Sequence, residues 1–472
     1  MAGSGLSELT LHQGHDSMTV EGMHDVLTIE VAGLMLALFL AVPAAASPDS
    51  FRRDLGALRG YARSVAESSR ILPGGTVPGH TNTTPWTLRM PGGNAGYPAF
   101  WVRDSAMMLG AGLIEPDEIE GWIRLTASVQ AGPQGDTRAN GLYAPPYSIP
   151  DHITLTGSVC WFPGAYDGPD QGDGSFGFLP PADDAYYLIQ MVREHARLTG
   201  NTELLAAPMK TNYAQSVPLW LICERAFDSV EVDEHGLVVC SAEKGRTRVD
   251  WGFCDGIHKT GKALMPSLLR WRAALDLSDL FRMSGKSALA EQYAAEAHRI
   301  QAAIAPTFYR ETGPNQAMLL STTGLGAKED IWIAAYAVWL DVLPEKQTLA
   351  LARRLLALYR AGGTVEDGQI RHLPAGQNWE DSIPPPGTYQ NGAFWGTPSG
   401  WFIHAIKRVD ADAAGAVLGD LVRHIQEHES EGAPWECVNS ATGYRRNSLY
   451  AASVCLPYAA LLRDCGAPAH GR

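Results

Sequence analysis

Basic residues are in short supply. The chain has 472 residues and carries 37 Lys plus Arg against 51 Asp plus Glu, a net charge of −14. No basic run interrupts that balance, which excludes a nucleic-acid partner, since phosphate backbones are held by clustered Lys and Arg. Apolar runs of about 20 residues, the length of a bilayer-spanning helix, are missing as well. The seven cysteines (Cys160, Cys223, Cys240, Cys254, Cys437, Cys455 and Cys465) form no CxxC pair, and no Cys/His grouping has the spacing of a structural zinc site. Their odd number and wide spread read as buried thiols. No phosphate-binding loop is visible. What is left is a composition of 45% apolar and 19% charged residues, that of a globular protein with a large core.

The N-terminus stands apart. Residues 31–42 (VAGLMLALFLAV) are uninterrupted apolar, and Pro43, Ala44, Ala45, Ala46 and Ser47 follow. Together they resemble the apolar region and small-residue cleavage site of an export signal, with cleavage after Ala46. Glu21, Asp25 and Glu30 precede the run, and no Lys or Arg occurs before Arg52, which is contrary to such a signal. A cytoplasmic or an exported protein fits equally. Residues 1–46 read as an extension and 47–472 as a single domain.

From about residue 50 the pattern is helical. Leu264, Leu268, Trp271 and Leu275 recur at spacings of 4, 3 and 4, as do Tyr293, Ala297, Ile300 and Ile304, and Ile331, Ala335, Val338 and Val342. Leu351, Leu355 and Leu358 continue the theme. Each reads as the apolar stripe of an amphipathic helix. Eleven or twelve such segments are expected, with GLVVC at 236–240 the clearest strand. The fold class is all-α.

The chemistry concentrates between these helices, in long loops rich in Gly and Pro. They carry Trp86, Trp101, Trp161, Trp251, Trp379, Trp395 and Trp435, each close to polar or acidic residues. Aromatic faces beside carboxylates and amides are a sugar-binding pattern: the ring stacks and the polar groups bond hydroxyls. Five clusters follow from this. YPAFWVRDSAMML (97–109) holds Trp101, Arg103 and Asp104, with Asp104 and Ser105 suited to capping a helix. GLYAPPYSIPDHI (141–153) ends in Asp151 and His152. It precedes an acidic loop with Asp167, Asp170 and Asp173, whose spacing is not that of a calcium-binding EF-hand, and then Asp183 and Asp184, which read as helix caps. No metal is assigned.

The third cluster, RVDWGFCDGIHKTGKALMPSLLRW (248–271), sets Asp250 and Asp255 among Trp251 and Phe253. A carboxyl against such rings is raised in pKa, as a general acid near neutral pH requires. The fourth, from Asn378 to Ile406, places Tyr389, Gln390, Asn391 and Trp395 in a binding-type loop, with Gly392, Gly396 and Gly400 permitting close backbone approach. In the fifth, residues 432–461, Glu436 follows Trp435, and Asn439, Tyr444, Arg445 and Asn447 come shortly after. A salt bridge from Glu436 to Arg445 or Arg446 is the plainer reading of that carboxylate.

These clusters, in this order, resemble the six-hairpin glycosidases, the (α/α)6-toroid enzymes that include trehalases, glucoamylases and α-L-rhamnosidases. WVRDS is similar to the WxRDS segment of glucoamylases, which implies that Arg103 and Asp104 bind the sugar next to the cleaved bond. The stretch from Asp250 to about Tyr309 resembles the segment of trehalases that carries the general acid, implying Asp250 with Asp255 as the alternative. This chain reads VDWGFCDGI and does not reproduce the trehalase motif. APWEC resembles the late loop that supplies the catalytic base, here Glu436. The resemblance implies one toroid with long loops on one face. It also implies an inverting glycosidase, in which one carboxyl protonates the leaving oxygen while the other activates water from the opposite face of the ring. The substrate would be an oligosaccharide or glycoside, and the mechanism needs no organic cofactor.

Other chemistries fit the same loops. A polysaccharide lyase would use Tyr389, Asn391, His152 and Arg103, and a sugar epimerase paired histidines. A phosphorylase would require inorganic phosphate. A non-catalytic carbohydrate-binding protein would need no carboxylate at both expected places. The acidic balance disfavours strongly anionic substrates, although Arg103, Arg371, His152 and His372 offer local compensation.

Overall fold

Helices alternate between long and short connections. The computed structural model describes residues 48–93, 96–138, 140–164, 174–243 and 254–465. Among them are the helices α1 (Pro48–Ser68), α2 (Val102–Met107), α3 (Pro116–Ser128), α4 (Asp184–Thr199) and α5 (Glu203–Ala206). The helices α6 (Leu219–Asp228), α7 (Leu264–Met283), α8 (Ser287–Phe308), α9 (Ile331–Leu340) and α10 (Glu345–Ala361) follow, then α11 (Ser399–Lys407), α12 (Ala411–Glu427) and α13 (Ala452–Leu462). Six of them pack side by side into a closed ring in the order α2, α4, α7, α9, α11, α13 and back to α2. The others, apart from the one-turn α5, lie against the outside of that ring. This is the (α/α)6 toroid.

Ring position explains the apolar patterns. The outer helix α8 buries Ala290, Tyr293, Ala297, Ile300, Ala303, Ile304 and Phe308, a single stripe. The ring helix α9 buries every residue except Trp339, and α7 is buried on all sides. The stripes expected for α7 and α9 are therefore only part of their apolar surface, because a ring helix meets neighbours on every flank. Val342 lies beyond α9, which ends at Asp341 in a left-handed turn. Close packing also needs small residues: a Cβ at Gly400 in α11 would sit 2.5 Å from the Pro457 backbone of α13.

Chain segments entering the ring helices are long, and those leaving are mostly short, residues 200–218 between α4 and α6 being the exception. Residues 362–398 enter α11, for example, and only 408–410 leave it. The long loops thus gather on the face where ring helices begin. They contain more strand than expected. Ala99–Trp101, His152–Thr154 and Val159–Cys160 form one antiparallel sheet. Val365–Glu366, Gln369–Ile370, Phe394–Trp395, Trp435–Asn439 and Tyr444–Ser448 form another. Of the expected GLVVC strand, Val239–Cys240 pairs with Gly261–Lys262. The residues of 1–46, and the acidic loop with Asp167, Asp170 and Asp173, lie outside the described residues. No described helix is long and apolar enough to cross a membrane.

Candidate active site

The loop face encloses a cavity of about 480 Å³. Buried polar residues line part of it, Arg103, Asp104, Gln390 and Glu436, together with the half-buried Asp255, and Tyr97, Trp101, Tyr389 and Tyr450 lie between them. The rest of the wall is apolar, from Pro163, Phe176, Ile383, Pro384 and Pro385.

Glu436 lies on the strand Trp435–Asn439 and is 1% exposed. Four donors converge on its carboxyl. The Tyr97 hydroxyl lies 3.3 and 3.2 Å from its two oxygens, and the Tyr389 hydroxyl donates to Oε1 at 3.0 Å. Asn447 Nδ2 donates to Oε2 at 2.6 Å, and Arg446 Nε stands 3.3 Å from the same oxygen. Arg446 also donates to the Tyr97 hydroxyl at 3.0 Å, so cation, phenol and carboxylate form one relay. The plainer reading of Glu436 is thus present through Arg446; Arg445 pairs instead with Glu431.

The three residues that hydrogen-bond Glu436 share a backbone feature. Tyr97, Tyr389 and Asn447 have φ of 58°, 42° and 40°, in the left-handed region that side chains usually avoid. Each such residue costs about 1–3 kcal/mol, and such strain persists where surrounding structure over-determines it, often at working sites. The carboxylate is held by residues that are themselves held. Burial nevertheless pushes Glu436 up to about 8, against the lowering effects of Arg446 and Asn447.

Asp255 comes from the loop before α7. Burial pushes it up to about 6, with Arg103 and Arg446 pulling down and Asp151 pushing up. Its Oδ1 accepts from Gln390 Nε2, while Gln390 Oε1 is buried without a partner among the described residues. Gly256 makes the loop's close approach possible, since a Cβ there would lie 2.6 Å from Pro384 and 3.0 Å from Gln390 Oε1. Asp255 has fewer donors than Glu436, with Gln390 Nε2 its one hydrogen-bond donor among the described residues.

A buried charge cluster forms part of the cavity's base. Arg103 bonds Asp183 at 2.8 and 3.2 Å and Asp151 at 3.3 Å, with Asp184 3.6 Å away. His152 stacks on Trp101 with ring centroids 4.1 Å apart and meets Asp151 Oδ2 at 2.8 Å. Burial disfavours its imidazolium, but the bond to Asp151 and the neighbouring Cys160 carry its pKa to about 9. Burial raises Asp184 well above the usual carboxylate range. Burial raises Asp183 as well, and the Arg103 guanidinium opposes the rise in both. Pairing with Arg103 and His152 is what lets buried carboxyls of this kind persist.

The expected residues divide accordingly. Trp101, Arg103, Asp104, Asp255, Tyr389, Gln390 and Glu436 line the cavity. Asp151 and His152 are fully buried within the charge cluster. Asn391 is buried and holds its own loop, accepting from Trp379 N and donating to the Pro384 carbonyl. Trp395 donates to the Tyr389 carbonyl at 3.2 Å, and Trp435 packs among His424, His428 and Arg445. Asp250 and Trp251 lie outside the described residues.

Two expectations need correction. Asp104 and Ser105 do not cap α2: the helix starts at Val102, and Asp104 accepts from the Tyr450 hydroxyl instead. Asp183 occupies the cap position of α4 without capping it, because its carboxyl is spent on Arg103. The loop tryptophans also differ from the sugar-platform reading. Of those described, Trp101 lines the cavity, while Trp161 and Trp379 spend their indole N–H on loop partners, Asp136 and the Gln390 carbonyl. The apolar wall, Tyr97 and Tyr450 carried no periodic or motif signal.

Neither a family model nor a curated protein matches the sequence. Solved structures do match in shape. Glucoamylase from Saccharomycopsis fibuligera is 13% identical, with 89% of this chain and 96% of that one covered at a TM-score of 0.55. A family 15 glucoamylase from Hypocrea jecorina is 12% identical, covering 89% and 73% at 0.52. A family 78 rhamnosidase of Bacillus sp. GL1 is 14% identical over 87% of this chain at 0.49; the chain spans 35% of that enzyme. The protein therefore has the toroid fold of the six-hairpin glycosidases.

Proposed function

We propose that the protein is an inverting glycoside hydrolase acting on an oligosaccharide or glycoside, with Asp255 as general acid and Glu436 as general base. One observation carries this reading. Two carboxyls with raised pKa values, Glu436 buried and Asp255 half-buried, come from loops far apart in sequence and face one cavity on the loop side of the toroid. General acid–base cleavage needs such a pair carrying one proton between them.

Ranked by pKa alone, the shared proton would sit on Glu436. That is the resting free protein; once a sugar fills the cavity and water meets Glu436, the donors argue for the opposite placement. Two phenols, an amide and a guanidinium aim their hydrogens at Glu436, so its oxygens act as acceptors, as a base toward water must. Asp255 keeps an oxygen that can bear the proton toward the leaving group. Inversion would place the two carboxyls about 6.5–9.5 Å apart, with the attacking water between Glu436 and the sugar. The Arg103–Asp104 corner and Trp101 would grip the sugar ring.

Lyase chemistry fits less well. Its base would be Tyr389, yet burial and the nearby Asp255 and Glu436 hold that phenol well above its usual pKa, away from the tyrosinate form. His152 is sealed beneath Trp101.

The test is a panel of aryl glycosides and natural oligosaccharides, read by reducing sugar released, with Asp255→Asn and Glu436→Gln alongside wild type. Turnover by wild type and a loss of about four orders of magnitude in each variant is expected. Full activity in either variant removes that residue from the mechanism.

A further inference from the structure

Three segments far apart in sequence meet below the loop that carries Asp255. Cys254 immediately precedes that aspartate, Asp330 caps α9, and His372 follows the strand Gln369–Ile370. All three are buried, and one ligand-type atom from each falls within 4.8 Å of the others. We infer that Cys254, Asp330 and His372 form a binding site for a thiophilic divalent cation, zinc by its donor chemistry.

The spacing is close to that of a coordination shell. Zinc bonds to S, N and O run about 2.0–2.3 Å, so a tetrahedral site has ligand-to-ligand edges of about 3.3–3.6 Å. His372 Nδ1 lies 3.4 Å from Asp330 Oδ2 and 3.7 Å from Cys254 Sγ, the sulfur is 3.3 Å from Nε2, and all three ligand atoms fall within 4.8 Å, so a small turn of the thiol completes the shell. The ligands are also oriented before any cation arrives. Asp330 Oδ1 accepts from the Trp332 and Ile333 backbone N–H groups, which fixes the carboxylate and turns Oδ2 inward. Among the described residues that oxygen meets no hydrogen-bond donor beyond the imidazole. The His372 ring is stacked on Trp332, centroids 3.5 Å apart, and its carbonyl accepts from Ile331 N at 2.8 Å.

Donor chemistry selects the metal. A thiolate, an imidazole and a carboxylate suit zinc, whereas magnesium and calcium take oxygen ligands. Three protein ligands leave the fourth position to water. On binding, the Cys254 thiol releases its proton to solvent, and thiolate plus carboxylate neutralise the dication. Lys259, buried 3.9 Å from Asp330 Oδ2, rests over the Trp379 ring at 4.6 Å and stays outside the shell. Its presence defines the competing state, a metal-free cluster in which Lys259 neutralises Asp330 and the thiol and imidazole share a hydrogen bond. A bound cation would tie the Asp255 loop to the start of α9. The site stands independently of the glycosidase reading.

The test is metal content of the full chain, expressed in zinc-supplemented medium, desalted and measured by inductively coupled plasma mass spectrometry. One zinc per chain is expected in wild type, and loss of it in Cys254→Ser and His372→Gln. Because either substitution opens a buried site and risks unfolding, wild type is also stripped with chelator and reloaded. Stripping should lower the melting temperature by several degrees and zinc should restore it. Reloading with cobalt should give a thiolate-to-metal charge-transfer band. Trace metal only, an unmoved melting temperature and no cobalt band would overturn the site in favour of the Lys259-neutralised cluster. Zinc retained undiminished in folded Cys254→Ser would overturn the ligand assignment.

Discussion

Replacing Glu436 with Gln should abolish turnover and make the protein more stable, increasingly so as the pH rises. Folding carries this carboxyl from 4.5 to about 8, chiefly through burial. Each pH unit of that displacement is worth about 1.4 kcal/mol, so an ionised unfolded chain gains about 5 kcal/mol over the native state. Below 4.5 both states hold the proton and nothing is lost. From there to about 8 the unfolded state ionises first, and native stability falls; above about 8 the penalty is complete. Glutamine has no proton to lose. It does turn one acceptor into a donor facing Asn447 and leaves Arg446 without its carboxylate, returning about 1–3 kcal/mol of the gain. A net gain of about 2–4 kcal/mol remains, or about 2–4 °C in a fold of this size. The assay is urea or thermal unfolding of both proteins from pH 4 to 9. A gap that opens with pH supports the reasoning, and a constant gap, or a wild type that gains stability toward pH 8, refutes it.

The same pair sets the pH–rate profile. Activity should be bell-shaped with limbs near 6 and 8: below the lower value both carboxyls are protonated and no base exists, above the higher both are ionised and no acid exists. Arg446→Gln removes a charge that lowers both pKa values, so both limbs should move to higher pH; a shift to lower pH would contradict the pairing. Arg103→Met should cost about 3–5 kcal/mol by leaving the Asp183 carboxylate buried without its cation and Asp151 with His152 alone, and adding Asp183→Asn should recover part of it. Chemical unfolding of the single and double variants checks this, and a loss under about 1 kcal/mol for Arg103→Met would show the cluster neutralised by other means.

Helix periodicity carried the architecture because outer helices such as α8 show one buried stripe and one wet face. It under-read the ring, where α9 is apolar all round and a 3.6-residue period has no contrast to report. The strands stayed hidden for a related reason: most are two residues long, shorter than any alternating pattern. Local motifs led to the cavity at Arg103, Asp104 and Glu436, and to Asp255 as the alternative to Asp250, which lies outside the described residues. Their partners were less legible. Tyr97 and Asn447 matter through left-handed backbone geometry, and nothing in a tyrosine or asparagine letter announces that. Tryptophans in loops serve two ends, and only the folded chain separates Trp101, which lines the cavity, from Trp379, which pins the loop of Gln390. Cys254, Asp330 and His372 lie 76 and 42 residues apart in order, so no spacing rule could join them.

The division of labour between the two carboxyls is the centre of the account, and leaving-group dependence reads it directly. For the sugar that wild type turns over, kcat/KM is measured across aryl glycosides of graded leaving-group pKa in wild type, Asp255→Asn and Glu436→Gln. Loss of the acid should spare the best leaving groups, which need no proton, and penalise the worst steeply; loss of the base should depress all of them alike. A steep dependence in Glu436→Gln and a flat one in Asp255→Asn would reverse the two roles, and no loss in either variant would contradict the pair.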